Sequence, residues 1–139
     1  MAIEKVREYL KKFGADGRIM EFDVSSATVE LAAVAVGTEP RRIAKTMAFA
    51  VGEKHILIVC AGDVKIDNHK YKSFFGAKAK MLTPDETAEY IGHAVGGVCP
   101  FAVPDEVEIY LDESLRRFET VFPACGSPTS ATEETLSEL

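Results

Sequence analysis

Apolar residues recur every three or four positions along the first segment of the chain, from Ile3 to Phe13. Charged residues occupy the positions between them, and Gly14 follows where a helix would end. The pattern therefore predicts an amphipathic helix over residues 2–13.

Capping signals delimit three further helices. A polar side chain that can accept backbone N–H bonds precedes each one, and a glycine follows each. These helices are predicted at Val29–Val36 between Thr28 and Gly37, from Asp67 toward Phe75 and Gly76, and from the capping box Thr83–Glu86 to Gly92. Short helices are also predicted after Thr38, with Pro40 in the first turn, and at Asp112–Arg117.

Short apolar runs between turn residues predict the strands. Lys45–Val51 and His55–Ala61 flank the turn Gly52-Glu53-Lys54, which predicts a hairpin. The other predicted strands are Arg18–Phe22, Lys80–Leu82, Val107–Leu111 and Glu119–Phe122. The polar segment Ser127–Leu139 is predicted to hold at most one helical turn. This order of elements predicts one α+β domain over residues 1–139, with a mixed sheet and helices packed outside it.

Composition narrows the class of protein. The chain has 139 residues, of which 47% are hydrophobic and 27% charged, as in an ordinary globular domain. No apolar run approaches the ~20 residues that span a bilayer. The charged N-terminal segment does not resemble a secretion signal, so a cytoplasmic location is expected.

The cysteines and histidines show no metal-binding or disulfide spacing. Cys60, Cys99 and Cys125 are odd in number, and no two of them form a CxxC pair. A metal site made of His93, Cys99 and Cys125 would exist only if the fold gathered them. No metal is therefore expected.

Charge is unevenly distributed along the chain. The net charge is −6, but residues 41–80 carry nine Lys/Arg against three Asp/Glu, whereas residues 81–139 carry two against twelve. The basic middle can face one anionic partner, or its lysines can form a solvated surface. Sequence leaves both interpretations open, because neighbours in sequence need not cluster in space.

Gly96-Gly97-Val98-Cys99-Pro100 is the stretch most suggestive of a site. Adjacent glycines permit positive φ and close backbone approach to a ligand. Backbone N–H groups of Gly97, Val98 or Cys99 could then converge on a carbonyl or oxyanion, while Pro100 stiffens the exit. A tight turn between a helix and a strand is the structural alternative.

Lys45 is a second candidate, since it precedes an apolar run where a lysine could point into a cleft and hold a phosphate or carboxylate. A strand-edge charge is the alternative. The chain lacks GxxxxGK[ST], GxGxxG, HExxH and GxSxG, so nucleotide hydrolysis, dinucleotide chemistry and serine hydrolysis lose their usual support. No histidine at a readable spacing activates Cys99, which favours a buried structural role for its thiol.

Together these stretches resemble the YbaK/ProRS-associated editing-domain family, which includes trans-acting aminoacyl-tRNA deacylases and the insertion domain of bacterial prolyl-tRNA synthetases. The resemblance extends over about 100 residues in the family's order, which is far more specific than any single motif. The matching stretches are Thr28–Gly37, Ile43–Met47, Asp63–Gly76 with Ala77–Lys80, Thr83–Glu86, Gly92–Phe101 and Phe118–Ser127.

The resemblance implies a mostly antiparallel sheet curled toward a barrel, and hydrolysis of the ester of misacylated tRNA. It implies that Lys45 orients the 3′ end of the tRNA and that the Gly96–Pro100 loop binds the aminoacyl carbonyl. The residues implied to bind substrate are Ser25, Thr28, Thr46, His93, Phe101, Gly126 and Ser127, with Ser26 as a further candidate to line the pocket.

The implied partner is the acceptor end of aminoacyl-tRNA, with an aminoacyl-tRNA synthetase as a second partner and no cofactor, metal or membrane. A non-catalytic module that binds aminoacyl-tRNA or a synthetase is the alternative. Ala, Ser, Thr, Cys and Pro all stay open as the amino acid removed.

Overall fold

A computed structural model of the protein describes residues 2–94 and 96–139. Met1, and Val95 within the matched stretch Gly92–Phe101, lie outside the described residues. The helices are α1 (Ala2–Lys11), α2 (Val29–Val36), α3 (Asn68–Phe75) and α4 (Pro84–Glu86), and 3₁₀ turns occur at Asp16–Arg18, Pro40–Arg42, Glu113–Arg117 and Leu136–Glu138.

The predicted capping signals delimit the helices. The hydroxyl of Thr28 accepts the Leu31 N–H at 3.2 Å, and α2 ends at Gly37, whose φ is 83°. The Asp67 carboxylate caps α3 in the same way. Each cap bonds within three residues of itself, which is why sequence alone predicts these ends.

Helix α4 widens after its first turn. The capping box at Thr83 starts it, but Thr87–Ile91 forms a π-helical turn in which the Gly92 N–H donates to the Thr87 carbonyl at 3.3 Å. The segment still ends at Gly92, as predicted.

The strands are β1 (Met20–Glu21), β2 (Ile43–Val51), β3 (Lys54–Ala61), β4 (Glu108–Leu111), β5 (Phe122–Pro123) and β6 (Ser130–Ala131). Four of them form a sheet of order β4-β3-β2-β5, and β1 pairs antiparallel with β6. The predicted hairpin is confirmed as the long antiparallel pair of β2 and β3, whereas β4 and β5 run parallel to their neighbours.

Three strand predictions need correction. The strand predicted at Glu119–Phe122 lies instead at Phe122–Pro123, and the one at Lys80–Leu82 is reduced to a single bridge between Met81 and Phe49. The strand at Arg18–Phe22 shrinks to two residues, because Asp16–Arg18 forms a 3₁₀ turn. These segments are too short to show a period of two, so their pairing depends on distant partners.

The helices pack on the sheet through small buried clusters. Ala32 and Ala33 of α2 meet Ile43 and Phe122, while Tyr71 of α3 meets Phe49 with ring centroids 5.2 Å apart. Helix α1 packs instead on the loop after α4 and on Cys125. The predicted fold class, α+β with a curled mixed sheet and outer helices, is confirmed.

Among residues 2–94 and 96–139, no helix combines the length and apolar character needed to cross a membrane.

Candidate active site

The outer edge of β2 is interrupted between two partners. Strand β5 pairs only with Ile43 and Ala44, and the next contact on that edge is the bridge from Phe49 to Met81. The Ala48 carbonyl accepts the Leu82 N–H at 3.0 Å, so even-numbered residues of β2 direct their backbone groups to this edge. By the same alternation Thr46 directs its N–H and C=O into the gap, where no described segment pairs with it.

A cavity of about 240 Å³ opens at this gap. Its floor is the stretch of β2 from Ile43 to Ala48, and the start of α2 forms one wall. Gly96, which lies against Ala27 just before α2, and Val98 also line the cavity, with Met81 as a further lining residue. The fold therefore brings the two main candidates from the sequence, Lys45 and the glycine loop, to one cavity.

Two polar groups of β2 at this cavity have no protein partner. The side chain of Lys45 is half-buried and forms no ion pair or hydrogen bond with the described residues. The Thr46 hydroxyl is buried and likewise has no hydrogen-bond partner in the described chain. Because an unpaired buried hydroxyl costs about 1–3 kcal/mol, a ligand that bonded it would recover part of that cost.

Gly96 and Gly97 play different parts in the loop. Gly96 has a φ of +94°, and a Cβ there would lie 3.1 Å from the Cβ of Ala27. Gly97 lies against the backbone of the C-terminal segment, so a Cβ would come within 2.5 Å of the Ser127 nitrogen. Both glycines are thus required by close approach, but only Gly96 lines the cavity.

The hydrogen bonds of the loop limit which N–H groups can serve a ligand. The Gly97 N–H donates to the Ala94 carbonyl at 3.0 Å, and the Gly97 carbonyl accepts the Gly126 N–H at 2.9 Å. Both backbone polar groups of Gly97 are therefore already hydrogen-bonded within the protein. The N–H groups of Gly96 and Val98 have no acceptor among the described residues, and both residues line the cavity.

Cys99, Pro100 and Phe101 lie behind the cavity. Cys99 and Phe101 pack with Val6 and Leu10 of α1, and neither lines the cavity. Burial raises the pKa of the Cys99 thiol to about 12, so the sulfur stays protonated at neutral pH. The thiol is therefore part of the core, as predicted, although the fold places His93 beside it, a proximity that the sequence spacing did not indicate.

His93 also lies outside the cavity. Its Nε2 is 2.7 Å from the Phe101 carbonyl and 3.6 Å from the Cys99 sulfur, and its Nδ1 has no partner in the described chain. Burial lowers its pKa, so the imidazole is neutral at pH 7. His93 supports the loop from behind, and the structure gives it no direct contact with a ligand in the cavity.

The serine candidates divide into two groups. Ser26 and Thr28 line the cavity, but Ser25 is exposed and its hydroxyl accepts the Ala27 N–H. Ser127 is buried and donates to the Ser130 hydroxyl at 2.8 Å, so it holds the C-terminal segment together. Gly126 is buried, its N–H donates to the Gly97 carbonyl, and it does not line the cavity.

Several lining residues were not predicted from the sequence. Met81 and Leu82 reach the cavity from the segment that bridges to Phe49, Ala124 from the residue after β5, and Ser130 from β6. No local motif marks them, since each segment makes its contacts with residues far away in the chain.

Nothing in the described part of the chain is arranged as a metal site. His93 and Cys99 are neighbours and Cys125 lies in the same core cluster as Cys99, but no group of three or more His, Cys, Asp or Glu among the described residues could hold an ion.

Comparison with known proteins gives a family match. The profile described as "Aminoacyl-tRNA editing domain" matches residues 23–139. The uncharacterized protein YwhH of Bacillus subtilis (strain 168) is 51% identical over 140 residues, which cover 100% of this chain and 89% of YwhH. The proline–tRNA ligase of Geobacillus sp. (strain WCH70) is 28% identical over 101 residues, which are 72% of this chain but only 18% of the ligase.

Solved structures show the same fold. A candidate trans-editing enzyme for prolyl tRNA synthetase superposes with a TM-score of 0.89 at 30% identity, covering 99% of this chain and 88% of that chain. The hypothetical protein APE2540 superposes with a TM-score of 0.86 at 26% identity, covering 96% and 90%. The similarity to both extends over nearly the whole chain.

Proposed function

The chain belongs to the family of aminoacyl-tRNA editing domains, and from this premise we propose that it hydrolyses the ester bond of misacylated tRNA in trans. The resemblance to prolyl-tRNA ligases and to a candidate trans-editing enzyme supports a role in editing. The finer proposal concerns which residues of this chain bind and turn over the ester.

One observation carries this proposal: a lysine and two backbone N–H groups, none of which has a partner among residues 2–94 and 96–139, border the same cavity. Lys45 lines it from β2, and Gly96 and Val98 line it from the loop after α4. An aminoacyl ester at the end of an RNA presents an anionic phosphate and a polar carbonyl. A cation and a pair of N–H donors are the groups that would hold these two features.

In the proposed reaction, water adds to the ester carbonyl carbon and the carbonyl oxygen becomes an oxyanion. The N–H groups of Gly96 and Val98 stabilise this charge, a contribution of about 2.7–4 kcal/mol for one such donor in a preorganised site. The bond from the carbonyl carbon to the ribose oxygen then breaks. The proton released by the water ends on that ribose oxygen, giving free amino acid and intact tRNA.

No protein nucleophile enters this scheme. The Cys99 thiol is buried and protonated, and His93 bonds to the Phe101 carbonyl behind the loop. Because an ester is already activated, positioning and oxyanion stabilisation are sufficient for a useful acceleration. Lys45 is proposed to orient the terminal phosphate, which leaves its charge unchanged through the reaction.

The cavity is suited to a small aminoacyl group. Its volume of about 240 Å³ must hold the amino acid and part of the ribose, and its walls at Val29, Ala32 and Phe122 are apolar. Size exclusion can reject large side chains, whereas one methylene more or less is worth only ~1–3 kcal/mol. We therefore expect activity on several small amino acids, with preferences of about 10- to 200-fold among them.

The test is a deacylation assay with Ala-, Ser-, Thr-, Cys- and Pro-charged tRNAs. Wild type is expected to release at least one amino acid faster than buffer does, and Lys45→Ala to lose most of that rate through a higher KM. Lys12→Ala is the matched control, since Lys12 is an exposed lysine of the chain segment after α1 with no ion pair among described residues.

The outcomes separate the alternatives. If wild type hydrolyses none of the charged tRNAs, the deacylase proposal is wrong. Tight binding of a charged tRNA without hydrolysis would favour the non-catalytic module. Equal activity of Lys45→Ala and wild type would remove the role proposed for that lysine.

A further inference from the structure

Five lysines surround one hydrophobic cluster on the outer side of the hairpin. Ile66, Tyr71 and Ala79 pack in a cluster with Phe49 of β2. Each of these three residues has lysine as a chain neighbour on one or both sides. We call these lysines the basic face: Lys65, Lys70, Lys72, Lys78 and Lys80.

Packing on Phe49 brings the basic face together. The Tyr71 ring of α3 lies 5.2 Å from the Phe49 ring, centroid to centroid, and Met81 forms a bridge with Phe49 from the other side. The Lys80 carbonyl accepts the Ala50 N–H at 2.9 Å. Helix α3 and the segment that follows it therefore meet over the same part of β2, and the lysines next to these anchors border one surface.

The charges of the basic face are only partly offset by the protein: Asp67 attracts Lys70 and Glu86 attracts Lys80, but neither forms an ion pair with its lysine. All five lysines are exposed, and none forms an ion pair or side-chain hydrogen bond with the described residues. By contrast, Arg18, Lys54 and Arg117 each bind a carboxylate. Lysines left unpaired in a chain of net charge −6 are therefore a local positive region in an acidic protein.

The acidic groups nearest in the chain are already engaged. Asp67 accepts the N–H groups of His69 and Lys70 at 2.9 and 3.0 Å, which caps α3. Glu108, next to the cluster through Tyr110, binds Lys54 at 3.2 Å. These contacts leave the carboxylates charged, but Asp67 and Glu86 face only two of the five lysines, so the basic face keeps positive charge for an external anion.

The basic face is continuous with the cavity. Met47 packs against the cluster and also lines the cavity, and Met81 lines the cavity directly after Lys80. An RNA whose aminoacylated end enters the cavity would pass the basic face as it leaves. Five exposed lysines carry more positive charge than one bound phosphate needs, which favours an anion with many phosphates.

We propose that the basic face binds the phosphate backbone of the acceptor arm of the tRNA whose 3′ end occupies the cavity; this inference rests on the proposed function. The ligand class is RNA phosphate, held by lysines as point charges without reading the bases. Contacts of this kind release counterions, so binding weakens as salt rises. The alternative ligand of the basic face is an acidic protein surface, and the experiment below distinguishes it from RNA.

The experiment compares two double variants that remove the same charge. Lys70→Gln with Lys72→Gln alters the basic face, whereas Lys12→Gln with Arg116→Gln removes two exposed charges elsewhere that have no ion pair within residues 2–94 and 96–139. Binding of uncharged tRNA is measured by fluorescence anisotropy at several concentrations from about 50 to about 300 mM NaCl. This series gives the slope of log K against log salt. Deacylation is measured on whole aminoacyl-tRNA and on an aminoacylated CCA trinucleotide.

The first variant should bind tRNA on the order of tenfold more weakly at ~0.1 M salt. Its slope of log K against log salt should become shallower by about 0.7–0.9 for each phosphate that the variant no longer neutralises. The control variant should keep the wild-type slope. Deacylation of the trinucleotide should be the same in all three proteins, because that substrate has no acceptor stem.

Three results would overturn the inference: an unchanged slope in the Lys70/Lys72 variant, an equal weakening of tRNA binding in the control, or an equal fall in deacylation of the trinucleotide. An effect seen only when a synthetase is added would assign the basic face to a protein partner instead. Failure of the proposed function is distinguishable, since wild type would then bind uncharged tRNA through the basic face without deacylating any charged one.

Discussion

The Nε2 of His93 lies 2.7 Å from the carbonyl oxygen of Phe101, and this contact joins the two ends of the loop that carries Gly96 and Val98. A carbonyl can only accept, so Nε2 carries the proton and donates. Phe101 is itself packed against α1. The His93 side chain therefore holds the two ends of the loop together, and Phe101 anchors one of those ends in the core.

We expect this hydrogen bond to position the loop. His93→Leu removes the donor, and its kcat on a charged tRNA should fall about tenfold or more, because misplaced N–H groups stabilise an oxyanion poorly. His93→Gln can place an N–H near the position of Nε2 and should recover part of the rate. Steady-state kinetics of both variants test this, and equal rates for Leu and Gln would contradict a positioning role.

His93 should also make stability depend on pH. Burial lowers its pKa below 6.5, so the unfolded state binds the proton more readily than the folded state. The resulting stabilisation is complete above pH 6.5 and is lost as the pH falls toward the lowered pKa, by at most about 1.4 kcal/mol per pH unit.

Urea unfolding of wild type and His93→Gln at pH 7.5 and 5.5 measures this effect. The stability advantage of wild type should shrink at pH 5.5, since the other titrating groups are common to both proteins. An advantage that does not change with pH would mean that the imidazole titrates normally in the fold.

Gly97→Ala should destabilise the protein. The new Cβ would lie 2.5 Å from the Ser127 nitrogen and 2.6 Å from the Gly126 carbonyl carbon, and backbone atoms cannot easily move aside. We expect a loss of roughly 1–3 kcal/mol, typical of overpacking. Thermal unfolding tests this against Gly17→Ala, where a Cβ meets nothing within 4 Å.

The cysteines should be chemically silent in the folded protein. Cys60, Cys99 and Cys125 are all fully buried, and burial raises the thiol pKa of Cys60 to about 11 and of Cys99 to about 12. A thiol reagent such as DTNB should therefore react with fewer than one group before unfolding and with all of them afterwards. Cys99→Ala should keep the deacylation rate while losing about 1–2 kcal/mol of stability through the cavity it leaves.

Fast labelling of the native protein would contradict the burial of the thiols, and loss of activity in a folded Cys99→Ala variant would show that the Cys99 sulfur takes part in the reaction.

The substitution Thr46→Val tests whether the Thr46 hydroxyl contributes to stability or to substrate binding. The variant replaces a buried hydroxyl that has no partner among the described residues with a methyl group of similar size. Stability should be unchanged or slightly higher, because an unsatisfied polar group is removed. The KM for a charged tRNA should rise several-fold if the hydroxyl bonds the substrate.

Thr46→Ser, which keeps the hydroxyl, is the control and should retain the wild-type KM. An unchanged KM in Thr46→Val would restrict Thr46 to its backbone contribution at the open edge of β2.

The parts of the fold that the sequence predicts correctly are those specified by residues close together in the chain. The caps at Thr28, Asp67 and Thr83 bond within three residues of themselves, and the β2–β3 hairpin joins two apolar runs through a short turn. Strands β5 and β6 were displaced or missed. Each has two residues, and their pairing with β2 and β1 depends on partners some 80 to 110 positions away.

The candidate site divides in the same way. Sequence by itself pointed to Lys45 and to the glycine loop, through residue types and their order in a family-like arrangement. Only the tertiary structure decided that Gly96 and Val98 line the cavity while Gly97, Cys99 and His93 support it from behind. The reason is physical, because a loop has no regular repeat that predicts which residues face a ligand. Here the orientation of the loop depends on close contacts with Ala27 and Ser127, which belong to distant parts of the chain.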